Sequence, residues 1–319
     1  MIYRLCPSAR LALAFALLAL VAFVGVVLTH PSRTVPPVIR VTSVDELQRI
    51  FAQYDYSLPS VRRTGSVPPL SISEVPAGWE ASLDTAARKQ VFFESVLPLV
   101  LIANERIAED RKRLHRLSGR LDKNQPLPTN DNKWLGKLAA TYGIDWPAAT
   151  DGDAARQRAM AALKRRVGPI PPSLALSQAA VESAYGTSRF ATTGNALFGQ
   201  WTRAKGLVPK EQRASKSDWT VARFASPLGS VEAYLRNLNT HNAYRGFRLE
   251  REKLGGIATG AALAPTVASY SEKGADYTRL LRDIIRVCFG NYHRLWRGGI
   301  PGLTIPGLTI PGFRKFGFS

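Results

Sequence analysis

AAVESAYGTSRFATTGNALF, residues Ala179 to Phe198, sets one glutamate near the end of an apolar run, follows it with a glycine and then turns through an aromatic-rich segment. Pro171 and Pro172 precede Ser173, an N-cap residue type, and Gly186 stands where a helix would stop. The pattern therefore predicts a helix over Ser173–Tyr185 with Glu182 in its last turn. Leu174, Leu176, Ala179, Ala180, Val181 and Ala184 make that helix apolar on most sides. Burial of this kind penalises the charged carboxylate and lifts its pKa. A glutamate that keeps its proton near neutrality can serve as a general acid, whereas an exposed one is ionised above about pH 4.3. A plainer alternative stands beside this one: Glu182 pairs with Gln178 or Arg189, or lies on a solvated stripe.

The surrounding residues carry a resemblance. LALSQAAVESAYGTSRFATTGNALFGQW, Leu174–Trp201, resembles the core motif of bacterial peptidoglycan N-acetylglucosaminidases of the flagellar and autolysin type. FFESVLPLVLIANERI at Phe92–Ile107 and SVEAYLRNLNTHNAYRGFR at Ser230–Arg248 are similar to the Bax-type branch of that group, and the likeness extends over Val75–Tyr292. It implies a lysozyme-like fold and hydrolysis of the β-1,4 bond between N-acetylglucosamine and N-acetylmuramic acid, with Glu182 as the general acid. It also implies a second carboxylate on a small β-lobe after the NALFG turn. Glu211 stands at a family-like distance before Phe224, and Asp218 is the fallback. KGLVPKEQRASKSDW at Lys205–Trp219 lacks the threonine-rich strand that normally carries this acid. The substrate's own acetamido group is therefore a third candidate, one of the exceptions to paired carboxylates.

SYSEKGADYTRLLRDII, Ser269–Ile285, is similar to the family's tyrosine motif, with Tyr270 and Tyr277 in the matching places and Ser269 where a glycine is usual. A hydroxyl from Tyr270 would orient an acetamido group or a water. Tyr277 shares helical spacing with Leu280, Leu281, Ile284 and Ile285, which also suits a core position. For sugar binding, Phe198, Trp201 and Trp219 offer flat faces, and Asn195 and Gln200 offer polar edges. Phe198 also reads as a buried strand residue and Asn195 as a turn former.

After Arg4 and Arg10, the apolar run Leu11–Thr29 is nineteen residues long, just enough to span a bilayer, and no small-x-small cleavage site precedes His30. The positive flank leads, so an uncleaved inner-membrane anchor with a periplasmic domain is expected, a cleaved signal being the alternative. Cys6 and Cys288 fall on either side of that span and build no disulfide framework. His115, His241 and His293 have no ligand spacing, so neither a metal nor a cofactor is expected. The formal charge of +19 over 319 residues suits an anionic wall or headgroup surface. Lys and Arg spread along the whole chain without a recognition motif, which argues against nucleic acid.

Four regions follow: an anchor or signal segment at 1–30, a linker arm at 31–76, a glucosaminidase domain with an N-terminal helical extension at 77–292, and a Pro/Gly tail at 293–319. In the arm, a short amphipathic helix is expected within Val41–Tyr54, starting near Ser43. The Pro-, Ser- and Arg-rich stretch that follows, to Pro76, reads as extended or mobile. A long helix is expected from Thr85 to about Leu117, kinked or broken at Pro98. Helices are also expected at Asp131–Ile144, Ala154–Arg166, Ser230–His241 and Asp276–Phe289, with a strand at Thr220–Phe224. The fold class is α+β, predominantly helical, with a small hairpin lobe. IPGLT repeats in the tail at Ile300–Thr304 and Ile305–Thr309 and cannot build a core. The functional expectation is a peptidoglycan hydrolase, with a catalytically weak glycan-binding protein or a lytic transglycosylase as rivals.

Overall fold

The computed structural model describes residues 37–76, 78–81, 83–209 and 218–290. The anchor segment, the tail and Glu211 lie outside the described residues. The described residues from Pro37 to Gly290 belong to one compact unit.

The chain opens with β1 (Val38–Ile39), α1 (Val44–Gln53), α2 (Leu58–Thr64) and β2 (Ser71–Ile72). Ser43 caps α1 through its side chain, as its position predicts, and Val44, Leu47 and Phe51 form the buried stripe. The stretch beyond it is not extended. Ser57 caps α2, and Leu58, Val61, Val67 and Leu70 are buried in the main core. β1 and β2 pair in parallel, Val38 opposite Ser71 and Ile39 opposite Ile72. Apolar residues scattered among Pro, Ser and Arg therefore fold this arm onto the domain.

The spine of the fold is α3 (Thr85–Leu121), 37 residues capped by Asp84, whose Oδ1 accepts from the N–H groups of Ala86 and Ala87, both at 2.8 Å. It neither breaks nor stops at Pro98. Proline removes the N–H that would bond the carbonyl of Glu94, four residues back. The Tyr56 hydroxyl, arriving from the arm, donates to that same carbonyl at 2.8 Å. The Glu94 side chain is buried as well and accepts from Leu58 N–H at 2.9 Å, so its pKa is raised by loss of water and partly offset by that bond.

Beyond the spine come α4 (Thr129–Thr141), α5 (Asp153–Arg166), α6 (Pro172–Glu182), α7 (Arg189–Gly194), β3 (Trp201–Thr202), β4 (Thr220–Val221), α8 (Pro227–Thr240), α9 (Arg245–Leu254), α10 (Gly260–Leu263) and α11 (Ala275–Phe289). The first half of α3 packs with the arm, α6, α8 and α11 in the main core, which includes Phe92, Leu97, Leu174, Ala179, Tyr234 and Leu281. Its charged second half builds a smaller core, with Leu114 and Leu117 against Leu135, Leu138, Met160 and Leu163 of α4 and α5. The hairpin is antiparallel, Trp201 opposite Val221 and Thr202 opposite Thr220, and the second strand is shorter than the Thr220–Phe224 expected.

Part of the positive charge is internal. The guanidinium of Arg251 donates to the carbonyls of Gly168 (2.8 Å) and Arg165 (2.9 Å) and to Asn239 Oδ1 (2.7 Å), and Arg111 donates to the carbonyls of Lys164 and Val167. Carbonyls at the end of α5, the negative pole of its dipole, thus accept hydrogen bonds from both cations, and the Glu252 charge favours them as well. Burial, reinforced by Arg111, holds the Arg251 guanidinium down at about 9.

Candidate active site

The site is built around the end of α6. Pro171, not Ser173, is the N-cap, with Pro172 in the first turn and no side-chain cap. Ser173 is buried inside the helix against Gly260, where an added Cβ would fall 2.3 Å from the serine Oγ. Every residue from Ser173 to Ala180 is buried, so α6 runs through the core and delivers its last residue, Glu182, to the edge.

The helix ends earlier than Gly186 suggests. Ser183 is the C-cap, and Ala184 (φ 50°), Tyr185 (φ 55°) and Gly186 (φ 82°) are all left-handed. For the two non-glycine residues this conformation costs roughly 1–2 kcal/mol each. Local bonds hold it: Tyr185 N–H donates to Ala180 O (2.8 Å), Ser183 Oγ donates to Ala179 O (2.6 Å) and Gly186 N–H donates to Ser183 Oγ (2.9 Å). One distant bond completes the elbow. The indole N–H of Trp79, from the segment before α3, donates to Tyr185 O at 2.8 Å, while the Tyr185 ring lies edge-on to Phe92 and Phe93.

Glu182 is half-buried, and loss of water raises its pKa, partly offset by a hydrogen bond from Tyr277. The plainer reading of this glutamate does not hold: the Gln178 amide bonds Tyr277, and Arg189 donates to the Val208 carbonyl. Gly199, at φ 57°, passes beside the carboxylate, where an added Cβ would sit 3.7 Å from Oε2. A wall of aromatic rings backs the group. Phe198 stacks on Tyr234 (3.9 Å, 5°), Tyr270 lies parallel to Tyr277 (6.2 Å, 7°), and Tyr244 lies 6.0 Å from Tyr270. Burial first, and the Glu182 charge after it, push the hydroxyls of Tyr244, Tyr270 and Tyr277 up, Tyr244 to about 12; for Tyr234 burial comes first, then Tyr244, then Glu182.

The structure brings Glu182, Tyr270 and Tyr277 together. Tyr277 is both core and site: it is 3% exposed, yet its hydroxyl lowers the pKa of Glu182 and the Glu182 charge raises its own. The Tyr270 hydroxyl donates to Phe198 O at 2.9 Å, which pins the Phe198–Gly199 turn beside the carboxylate and makes Tyr270 a brace for that turn. Phe198 is not a sugar platform, because its ring is 1% exposed and sandwiched in the core. Asn195 is a latch. It adopts the left-handed C-cap of α7 (φ 53°), accepts from Val75 N–H at 3.4 Å and donates to Phe224 O at 3.2 Å, so both ends of its amide serve backbone.

Trp201 remains half-exposed on the hairpin, and Trp219 is half-buried with the Arg203 guanidinium 5.0 Å over its ring. The Gln200 side-chain oxygen is buried without a protein partner. Asp218 is exposed. Among the described residues no three His, Cys, Asp or Glu side chains group as metal ligands.

Sequence reasoning missed Trp79, Gln178, Tyr234 and Tyr244 as site residues. Gln178 had a local signal, since four residues separate it from Glu182 on one helical face. The other three are joined to the site only by tertiary contact.

Comparison with known proteins agrees with this geometry. The profile of the glucosaminidase family, described as mannosyl-glycoprotein endo-beta-N-acetylglucosaminidase, matches residues 157–287, which hold α6, the hairpin and both motif tyrosines. The Escherichia coli (strain K12) protein named "Protein bax" is 30% identical over 236 residues, covering 73% of this chain and 78% of that protein. No solved structure matches the chain significantly. With a predominantly helical α+β, lysozyme-like domain and a relative aligned over most of both lengths, the chain belongs to the glucosaminidase family, in its Bax-type branch.

Proposed function

We propose that this glycosidase-family protein is a peptidoglycan hydrolase that cleaves the β-1,4 bond between N-acetylglucosamine and N-acetylmuramic acid, with Glu182 as general acid. The observation that supports it most is a carboxylate at the end of a buried helix, its pKa raised by lost solvation and lowered in part by the Tyr277 hydroxyl. The Glu182 proton passes to the glycosidic oxygen as the bond from that oxygen to the anomeric carbon breaks, so the departing sugar leaves as an alcohol. The oxocarbenium-like centre left behind is then captured, in net, by water.

The balancing partner is Glu211, Asp218 or the substrate's own acetamido group. Because the folded pKa of Glu182 is raised, the competent acid form extends toward neutrality, and rate falls as pH rises through that value. Residues 11–29 would anchor the enzyme in the inner membrane with its domain on the periplasmic side. Among the described residues no helix is long and apolar enough to cross a membrane.

Digestion of purified sacculi followed by mass spectrometry tests the activity. Reducing N-acetylglucosamine ends support the proposal, anhydro-muramic ends support a lytic transglycosylase, and glycan binding without fragments supports a binding protein. Glu182→Gln is expected to lower the rate by about 10²- to 10⁴-fold, and wild-type rates in that variant would refute the assignment. Retention of the protein in carbonate-washed inner membranes tests the anchor.

A further inference from the structure

Gln178 is 0% exposed and sits one helical turn before Glu182. Its side-chain oxygen accepts from the Tyr234 hydroxyl at 2.7 Å, and its side-chain nitrogen donates to the Tyr277 hydroxyl oxygen at 2.9 Å. Tyr234 is also 0% exposed and is clamped by its stack on Phe198. A phenol has a single proton to give, and an amide nitrogen can only donate. The amide NH₂ facing Tyr277 therefore takes the phenol's lone pair, and the phenol's own proton must point elsewhere. The group whose charge and hydrogen bonding act on that hydroxyl is Glu182, one turn beyond Gln178 on the same helix. The chain of donors runs one way, from Tyr234 to Gln178 to Tyr277, and leaves the Tyr277 proton free to face Glu182.

We propose that Gln178 is a positioning residue for the glycosidase acid: with Tyr234 as its anchor, it fixes the Tyr277 proton onto one oxygen of Glu182, so that the acid's own proton occupies the other oxygen. This rests on the reading of Glu182 as general acid. It extends that reading by naming how a buried carboxyl is told which oxygen to use. A carboxyl free to rotate would present the wrong oxygen for part of the time, and the fixed acceptor removes that freedom. The network also sets the acid's strength, because a bond donated to the ionised form favours it and offsets part of the burial.

The test uses the full-length protein and four variants, with two readouts: ¹³C NMR titration of the Glu182 side-chain carboxyl, and the pH profile of kcat/KM on sacculi. Tyr277→Phe removes the donor, and the Glu182 titration is expected to move up by about one pH unit. Gln178→Glu keeps an acceptor for Tyr234 but offers a carboxylate where an amide N–H stood. It competes for the Tyr277 proton and adds like charge, so the titration moves up at least as far. Tyr234→Phe frees the amide to turn and shifts the titration less, in the same direction. In each, kcat on sacculi drops about 3- to 10-fold while KM stays within about twofold, as for an interaction realised in the reacting complex.

A folded Tyr277→Phe or Gln178→Glu protein whose Glu182 titration overlays the wild type would overturn the proposal. Glu182→Gln, the fourth variant, separates the two levels. If it cleaves glycan at the wild-type rate the acid assignment fails, whereas the NMR titration of the other three still judges the Gln178 network by itself.

Discussion

Tyr56→Phe removes one oxygen atom and exposes how a 37-residue helix survives an internal proline. The Tyr56 ring is 4% exposed and stands edge-on to Phe51 at 5.2 Å, so phenylalanine keeps the packing. What is lost is the 2.8 Å bond to the Glu94 carbonyl, the acceptor that Pro98 leaves orphaned. An unsatisfied buried carbonyl costs about 1–3 kcal/mol. For a chain of this size that is on the order of 2–4 °C in melting temperature for each kcal/mol.

Pro98→Ala supplies the missing backbone donor. In that background the Glu94 carbonyl regains its helical partner, and Tyr56→Phe should cost only about 0.5–1 kcal/mol, the ordinary value of a replaceable bond. The measurement is a double-mutant cycle by urea unfolding, with an expected coupling of about 1 kcal/mol or more between residues 56 and 98. Equal costs of Tyr56→Phe in both backgrounds would refute the claim that this hydroxyl repairs the helix.

Trp79→Phe removes the donor to Tyr185 O but leaves an aromatic ring; a loss of about 1–2 kcal/mol is expected, with kcat on sacculi falling more than KM changes, and full activity in the folded variant would show that the elbow holds itself. Gly199→Ala places a methyl beside the Glu182 carboxylate at φ 57°; about 1 kcal/mol of strain is expected, and an unchanged rate and melting temperature would show that the turn has room. Glu105, 8% exposed, has its pKa pushed up to about 7 from an ordinary 4.5, by burial first and Glu109 second. Its folded state therefore holds the proton more tightly than the unfolded one, and this contribution to stability is full below about pH 4.5 and lost as pH rises through about 7. Glu105→Gln should match the wild type near pH 4 and exceed it at pH 8, by on the order of 1 kcal/mol after allowance for the solvent the carboxyl still meets. A gap in urea stability that does not change with pH would sink that assignment.

The helices that announce themselves with local chemistry were legible. Ser43 before an amphipathic run starts α1, and the apolar run to Glu182 sets α6 and its terminal carboxylate. Pro98 misleads because its remedy comes from Tyr56, which no local window contains. The arm misleads because Ser57, Pro59 and two arginines read as an open chain, although Leu58 and Val61 sit at helical spacing and are buried. At the site, glycine marks the wrong residue of the turn. The left-handed backbone begins at Ala184 and Tyr185, whose strain is met by contacts with Trp79, just before α3, and with α3 itself. Phe198 and Asn195 look like ligand residues because they flank the turn, but one fills the core and the other latches backbone.

The bonds that complete the site have a consequence for timing. Trp79 meets Tyr185 across 106 residues, and Gln178 meets Tyr277 across 99. The surroundings of Glu182 thus depend on both flanks of the chain having found the middle. A nascent polypeptide carries Glu182 long before it carries Tyr277, and in that interval the glutamate is an ordinary acid on an unfinished helix. Under the proposed mechanism the tyrosine that acts on that acid arrives only with α11, so a chain that ends before it carries the glutamate without its neighbour.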